Sequence, residues 1–520
     1  MKKLVSSFLM LTALLAGTNA MARNVSLEEA KTAAAAYLRA NTDYSRVSAD
    51  ELVLVHQVDN EELGIPAGYF FNVSDWGFII MSASTAMDPV IGYSYCGNMD
   101  INNLPPAMVD WVGGWMNMAK DVQKGDAEKG FEDTDEWTML LSGVDMPATK
   151  ANDVILMNEQ WDQGDASGAD YNMLCPVVGG EYCYTGCVAT ALAQLCHYYK
   201  FPVNPKNTRN YTTTTNHINI RVKFDTVNFD YSKMPNRIVN STSQEKRLEI
   251  SKLGYMVGVA VGMNYGSYSH GGGSSAHSED VPGCMFRYFK YQRGNLMYRR
   301  ASFPHEAFGT SSGQTMYYDD LLNYSPYNNA VDDETYMSAI RSDLLLNRPV
   351  YMGGISSQGG SDRDAGGHAF LVCGYRTNSE NMYYFNWGWG GTVNGFYNLG
   401  NNNMSLQYSL GNYNRVQEAI VGIIPPHADS SDVNFLGISD VEPTAVEFAP
   451  AYPNPASYSV NIPYHLNSAA DMFIYSMDGR LVEQRHLEAG EDEVEVRVDR
   501  MPAGIYVYRV NGVSGKFIVQ

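Results

Sequence analysis

The stretch TGCVATALAQLCHYY, Thr185 to Tyr199, decides how the chain is read. VATALAQLCHYY predicts a helix that stops before Pro202, with Thr185 and Gly186 leading into Cys187 at its start. A cysteine there sits where free backbone N–H groups and the helix dipole favour negative charge. Both push a thiol toward the thiolate, the more so beside an imidazolium. The same N–H groups are suited to hold an oxyanion. Cys196 lies well inside the helix, where cysteine ordinarily serves as a small buried hydrophobe. By geometry Cys187 is therefore the better nucleophile.

A metal site is the competing reading, since Cys183, Cys187, Cys196 and His197 run as C-x3-C-x8-C-H. Structural zinc sites more often place a second close pair well downstream. Here the later ligands share one helix, and adjacent positions such as 196 and 197 point about 100° apart around it. The spacing disfavours a metal, and no cofactor is expected. A disulfide between Cys175 and Cys183 stays open.

Composition narrows the class. The chain has 520 residues, 45% hydrophobic and 18% charged, enough for several globular domains. A formal net charge of -21 excludes the basic footprint that a nucleic-acid partner requires. Lys2 and Lys3, the apolar run Leu4 to Ala16 and the small residues Thr18-Asn19-Ala20 predict a secretory signal over 1–20. That run is too short to span a bilayer, and no later segment is apolar enough to do so. Seven cysteines are too few for a disulfide scaffold and odd in number. An unpaired thiol in an exported protein needs a reason, and catalysis supplies one.

Three units follow the signal. In residues 21–150, Ser26 and Glu29 form a capping box ahead of KTAAAAYLRA, and LVLVHQV, GYFFNV and GFIIMSA read as strands. These residues are expected to be a small separate α+β domain, ending at an exposed loop around Lys150 where proteolytic nicking concentrates. Residues 151–425 carry a second helix near Glu245 to Met263, two Gly-rich loops at 266–278 and 356–367, and late strands in HAFLVCGY, MYYFNW, GFYNLG and AIVGIIP. After a linker over 426–445, residues 446–520 hold six short strand patterns with hairpin turns at Asp478-Gly479 and Asn511-Gly512, a small β-sandwich by pattern.

Among ten histidines, His368 has the most suggestive setting, AGGHAFLVCGY, where a flexible loop turns into an apolar strand. Eighteen residues on, FNWGWGG supplies Asn386 and Trp387. A thiolate–imidazolium pair needs a third group to orient the ring, and an Asn under a Trp lid suits that task.

TGCVATALAQ, GGHAFLVCGY and FNWGWGG resemble the catalytic signatures of the streptopain family of secreted bacterial cysteine peptidases. The resemblance covers about residues 151–425, and WDQGDASGADYNMLCPV matches a further family stretch with an insertion after Gly164. It implies an α+β architecture: a papain-like catalytic domain behind an inhibitory α+β prodomain and ahead of an all-β sandwich. It also implies Cys187 as nucleophile, His368 as general base and acid, Gln163 as side-chain donor to the oxyanion hole, Asn386 as ring-orienting residue and Trp387 as its cover. MNYG (263–266) resembles a family loop at the cleft rim, so Gly266, Gly366 and Gly367 are implied as substrate-binding, although a long insertion precedes Gly366. A bulky apolar residue two positions before the scissile bond is the implied preference. AYPNPAS, IYSMDGRLV, MPAGIYVYRV and GKFIVQ resemble the sorting domains of the type nine secretion route, against the plainer reading of a surface-binding sandwich.

The expectation is a secreted, self-activating endopeptidase zymogen, exported via the periplasm to the medium or cell surface. Its partners would be protein and peptide substrates, its own prodomain and the secretion machinery. A transglutaminase-like acyltransferase using the same Cys–His pair, or an adhesin on a peptidase scaffold, are the alternatives.

Overall fold

Ser26 caps the first helix, α1 (Leu27–Asn41): its hydroxyl accepts from the Glu29 N–H at 3.3 Å while the Glu29 carboxylate accepts from the Ser26 N–H at 2.9 Å. The alanines on its inner face, Ala30, Ala33 and Ala34, let it lie close on a sheet made by the three predicted strands and one more. These are β1 (Leu52–Asn60), β2 (Ile65–Val73), β3 (Gly77–Ser82) and β4 (Val90–Ser94). Phe78 and Ile80 of β3 point to one core, Ile79 and Met81 to another. Covered on both faces, the strand reads as an unbroken apolar run. The second cover is α2 (Pro106–Lys124), which sequence reading passed over. Its signals are Pro106 at the first turn and apolar residues at 107, 108, 111, 112, 115, 116 and 119. A short α3 (Asp135–Leu141) completes this unit.

The computed structural model describes residues 23–42, 46–74, 77–95, 97–124, 135–142, 153–303, 307–311, 314–355, 367–400, 415–426, 446–448, 451–466, 469–476, 481–510 and 513–520. The signal segment, Cys96, Lys150, Gly366, the Gly-rich run 356–366 and the linker residues 427–445 lie outside the described residues.

The expected separateness of residues 21–150 does not extend to the sheet. The later unit contributes β5 (Asp153–Ile155), β6 (Asn295–Tyr298), β7 (Val350–Ile355), β8 (Gly367–Arg376), β9 (Met382–Asn386), β10 (Gly395–Asn398) and β11 (Arg415–Val421). β4 pairs with β10 through Tyr93↔Phe396 and Gly92↔Tyr397. One eleven-stranded sheet results, in the order β1-β2-β3-β4-β10-β9-β8-β7-β11-β6, with β5 paired to β8. At the seam a Cβ on Gly92 would lie 2.7 Å from the Tyr397 ring, so glycine permits the approach.

Side chains reinforce that seam. Trp111 of α2 is 2% exposed, donates its indole N–H to Asn398 O at 3.1 Å and packs edge-on against Phe385 at 5.0 Å. Arg376, 1% exposed, donates to the Tyr37 and Tyr93 hydroxyls at 2.8 Å each and to Asn41 O. Asn398 donates to the Asp88 carboxylate at 2.8 Å. The first unit is joined to the second as one extended body, not tethered beside it.

In the second unit α4 (Cys187–Tyr199), α5 (Gln244–Val261) and α6 (Val281–Phe289) build the core on one sheet face, with Ala369, Leu371, Cys373 and Tyr351. Phe370, Val372, Met352 and Ala419 face the opposite way, toward α2 and α7 (Asp333–Leu345). The C-terminal strands form a three-stranded sheet (Val446–Phe448, Ser459–Leu466, Gly490–Arg497) and a four-stranded one (Leu481–Leu487, Ala470–Ser476, Gly504–Val510, Val513–Val519). Their inward side chains, including Ile462, Ile474, Val496 and Phe517, share one core, as a sandwich requires. Among the described residues no helix is long and apolar enough to cross a membrane.

Candidate active site

Cys187 is the first residue of α4, as predicted. Gly186 caps the helix at φ 87°, and a Cβ there would meet the Met263 side chain at 2.7 Å, so glycine serves both the turn and the close approach. The half-buried thiol is acted on first by burial, which pushes its pKa up, and then by the backbone N–H groups of Ala369, Val188 and Cys187, which pull it down. The helix-start amides therefore act as anticipated, and burial outweighs them.

Gln163 is held at the same helix start by its backbone. Its carbonyl accepts from the Thr185 N–H at 2.9 Å, while Asp162 Oδ1 accepts from the Gln163 and Gly164 N–H groups at 2.5 and 3.2 Å. The preceding residue, Trp161, accepts from the Gly390 N–H at 3.1 Å. Residues 161–164 thus bridge the Cys187 turn and the FNWGWGG loop.

His368 opens β8, and strand alternation decides where its ring goes. Ala369 faces α4, so His368 shares the opposite face with Phe370. The imidazole stacks on Phe370 at 6.3 Å, lies 6.2 Å from the Trp389 ring, and places Nε2 2.9 Å from Trp387 O. Burial lowers its pKa to about 4, against the upward pull of the Trp387 carbonyl. The Ala369 N–H acts on the thiol, so sulfur and ring meet neighbouring residues of β8, with the ring held by the Trp387 carbonyl.

Two neighbours of the ring differ from expectation in what they do. Asn386 donates to Glu159 O at 2.7 Å and Gln194 Oε1 at 3.0 Å, and its Oδ1 accepts from the Gly388 N–H at 3.1 Å. It ties the loop to α4, and the contact to the ring comes from the Trp387 carbonyl. The Trp387 indole is fully buried against Phe370, Phe385 and Tyr397 at 4.9–5.2 Å. Trp389, which sequence reading passed over, is the indole beside the imidazole; its place in the quoted WGWGG motif was the available signal. Gln194 was likewise missed, and only its seven-residue, two-turn offset from Cys187 could have pointed to it.

Of the substrate-binding glycines, Gly266 is buried, accepts from the Tyr184 N–H at 3.1 Å and would place a Cβ 2.4 Å from Gly273 O. It fixes the MNYG loop against the residues before Cys187. Gly367 is exposed at the start of β8.

The former metal candidates separate. Cys196 is buried in the helical core, and His197 is buried between Glu159 (Nδ1, 2.6 Å) and Met234 O (Nε2, 2.9 Å). Cys175 and Cys183 are free, buried thiols, as are the other described cysteines apart from half-buried Cys187, also free.

A cysteine at a helix start, a histidine on the adjoining strand and a joined N-terminal unit define a cysteine peptidase precursor. Comparison with known proteins agrees: residues 161–397 match the peptidase C10 family, 22–117 the Spi protease inhibitor family and 450–520 the secretion system C-terminal sorting domain. The protein belongs to the peptidase C10, or streptopain, family of cysteine peptidases, with an inhibitor-type prodomain and a C-terminal domain that marks it for secretion or surface attachment. It is 26% identical to streptopain of Streptococcus pyogenes over 376 residues, 69% of this chain and 80% of that protein. It is 28% identical to the thiol protease/hemagglutinin PrtT of Porphyromonas gingivalis over 360 residues, but spans only 36% of that protein's length. A prointerpain A fragment of Prevotella intermedia shares the fold over 72% of this chain and 98% of its own, with a TM-score of 0.52 and 21% identity.

Proposed function

We propose that the protein is the exported precursor of an endopeptidase in which Cys187 thiolate attacks a substrate carbonyl and His368 protonates the leaving amine. Water then releases the acyl group with His368 as base. The Gln163 side-chain amide and the Cys187 N–H are the oxyanion donors. Asn386 holds the FNWGWGG loop against α4, so that this loop can present Trp387 and Trp389 to the ring. The supporting observation is Cys187 at the first residue of α4, with Gln163 anchored through the Thr185 N–H two residues before it and His368 opening the strand beside it.

Latency follows from the same geometry. Trp111 of the prodomain lies 6.2 Å from Phe370, on which the His368 ring stacks, and 6.5 Å from Trp387, whose carbonyl meets the ring's Nε2. Departure of the prodomain, by self-cleavage in the segment around Lys150, removes that support. The packing around His368 can then adjust, and His368 and Cys187 form the ion pair. The C-terminal sandwich is read as the address for export through the periplasm by the type nine route.

Thiol labelling tests the assignment. With iodoacetamide, Cys187 of the processed enzyme is expected to react before every other cysteine, and about tenfold or more faster than in the precursor. Faster modification of a different thiol in the processed enzyme would contradict the nucleophile assignment.

A further inference from the structure

Gln194 is a fully buried amide with no part in the reaction steps above. It lies on α4 two turns from Cys187, and residues 187, 190, 194 and 197 share one side of that helix by their spacing. The three that follow the nucleophile face the two segments that carry the rest of the site, residues 159–164 and the FNWGWGG loop. A Cβ on Gly388, whose φ is 69°, would come 3.3 Å from Thr190 Cγ2. His197 Nδ1 lies 2.6 Å from Glu159 Oε1. Gln194 meets both segments at once.

Its Oε1 accepts from the Trp161 N–H at 3.2 Å and from Asn386 Nδ2 at 3.0 Å. The first bond fixes the segment that reaches Gln163 two residues on. The second fixes Asn386, and the next residue, Trp387, turns its carbonyl to His368 Nε2 at 2.9 Å. Around this oxygen the two segments also bond each other: Asn386 Nδ2 donates to Glu159 O at 2.7 Å and the Gly390 N–H to Trp161 O at 3.1 Å. One side-chain oxygen on the nucleophile's own helix thus joins the Gln163 segment to the carbonyl that holds the imidazole.

The other end of the amide carries a cost. Gln194 Nε2 is buried and has no hydrogen-bond partner among the described residues. A desolvated donor left unpaired destabilises a fold, and buried polar groups are ordinarily satisfied. Packing alone would favour methionine, which matches glutamine in length and leaves no orphaned donor. What methionine lacks is a strong acceptor for the two segments to share.

We propose that Gln194 is a positioning residue: by accepting from Trp161 and Asn386 together, it holds the Trp387 carbonyl and the Gln163 segment in register with Cys187. It acts through those two neighbours and touches neither substrate nor the reacting atoms. The proposal rests on Cys187 and His368 being the reacting pair. In that pair the Trp387 carbonyl stabilises the protonated ring, so a slack loop should let the imidazolium lose its proton at lower pH.

The test compares processed wild-type enzyme with Gln194→Met, Gln194→Glu and Gln194→Asn on a fluorogenic peptide with leucine two residues before the cleaved bond. Methionine fills the space without a strong acceptor and is expected to lower kcat about tenfold or more, with KM within about twofold. The alkaline limb of its kcat profile should move to lower pH by about half a unit or more. Glutamate keeps an oxygen at the same reach and should retain kcat within about threefold, whereas asparagine, an amide one methylene short, should lose as much as methionine. Should methionine block folding, the contrast between glutamate and asparagine decides alone. A folded methionine variant with wild-type kcat, equal kcat in the glutamate and asparagine variants, or a loss with the alkaline limb unmoved would overturn the positioning role alone. Failure of the wild type to cut either peptide or denatured protein would overturn the peptidase reading together with it.

Discussion

The Cys187→Ala protein is expected to accumulate as a full-length precursor that neither processes itself nor cleaves denatured protein. The sulfur stands at the first residue of α4, where helix-start N–H groups favour negative charge. Removing a nucleophile from a covalent mechanism lowers kcat by roughly 10⁶-fold, leaving what binding and oxyanion stabilisation supply. Alanine keeps the helix start, so stability should change by no more than about 1 kcal/mol. Processing by an added wild-type enzyme should still separate the prodomain, since the cleaved segment is untouched. Maturation of the isolated variant at the normal rate would contradict the mechanism.

The second large effect is expected at the seam. Trp111→Ala, made in the Cys187→Ala precursor to prevent self-cleavage, should weaken prodomain attachment by about 3–5 kcal/mol, the range for emptying a buried aromatic site. Trp111 contributes its packing on Phe370, Phe385 and Trp387 and its hydrogen bond to Asn398 O. All four partners belong to the catalytic unit, so its removal leaves a cavity beneath the strand that carries His368. Limited trypsin digestion is the measurement: the prodomain should be lost at lower denaturant than in the parent. In an otherwise wild-type chain the same change should bring activity on earlier. Equal protection of both precursors would mean that Trp111 does not carry the latch.

These effects turn on features that differ in how legible they were. Cys187 was legible because its signal is local: glycine before it, a helix after it, proline beyond. The strands of the prodomain, the His368 strand and the C-terminal sandwich were legible for the same reason, since period and turn residues act within a few positions. The face taken by the His368 ring was not. One residue of register moves a side chain through the sheet, and GGHAFLV carries no mark of which face its histidine will take. The pairing of β4 with β10 joins residues about 300 apart, and only the glycines at 92 and 395 hint that a strand must approach there. Asn386 was singled out for its neighbours in FNWGWGG, but its hydrogen bonds run to Glu159 and Gln194, which no local pattern connects to it.

Trapping the covalent intermediate decides whether Cys187 does the chemistry. Processed enzyme is mixed with a peptide ester in stoichiometric amount and quenched in acid, and the acylated peptide is located by mass spectrometry. Attack by Cys187 Sγ forms a thioester as the alcohol leaves with the proton, so the added mass should lie on the peptide that contains Cys187. An adduct on any other cysteine, or rapid ester turnover with no adduct on Cys187, would contradict the assignment.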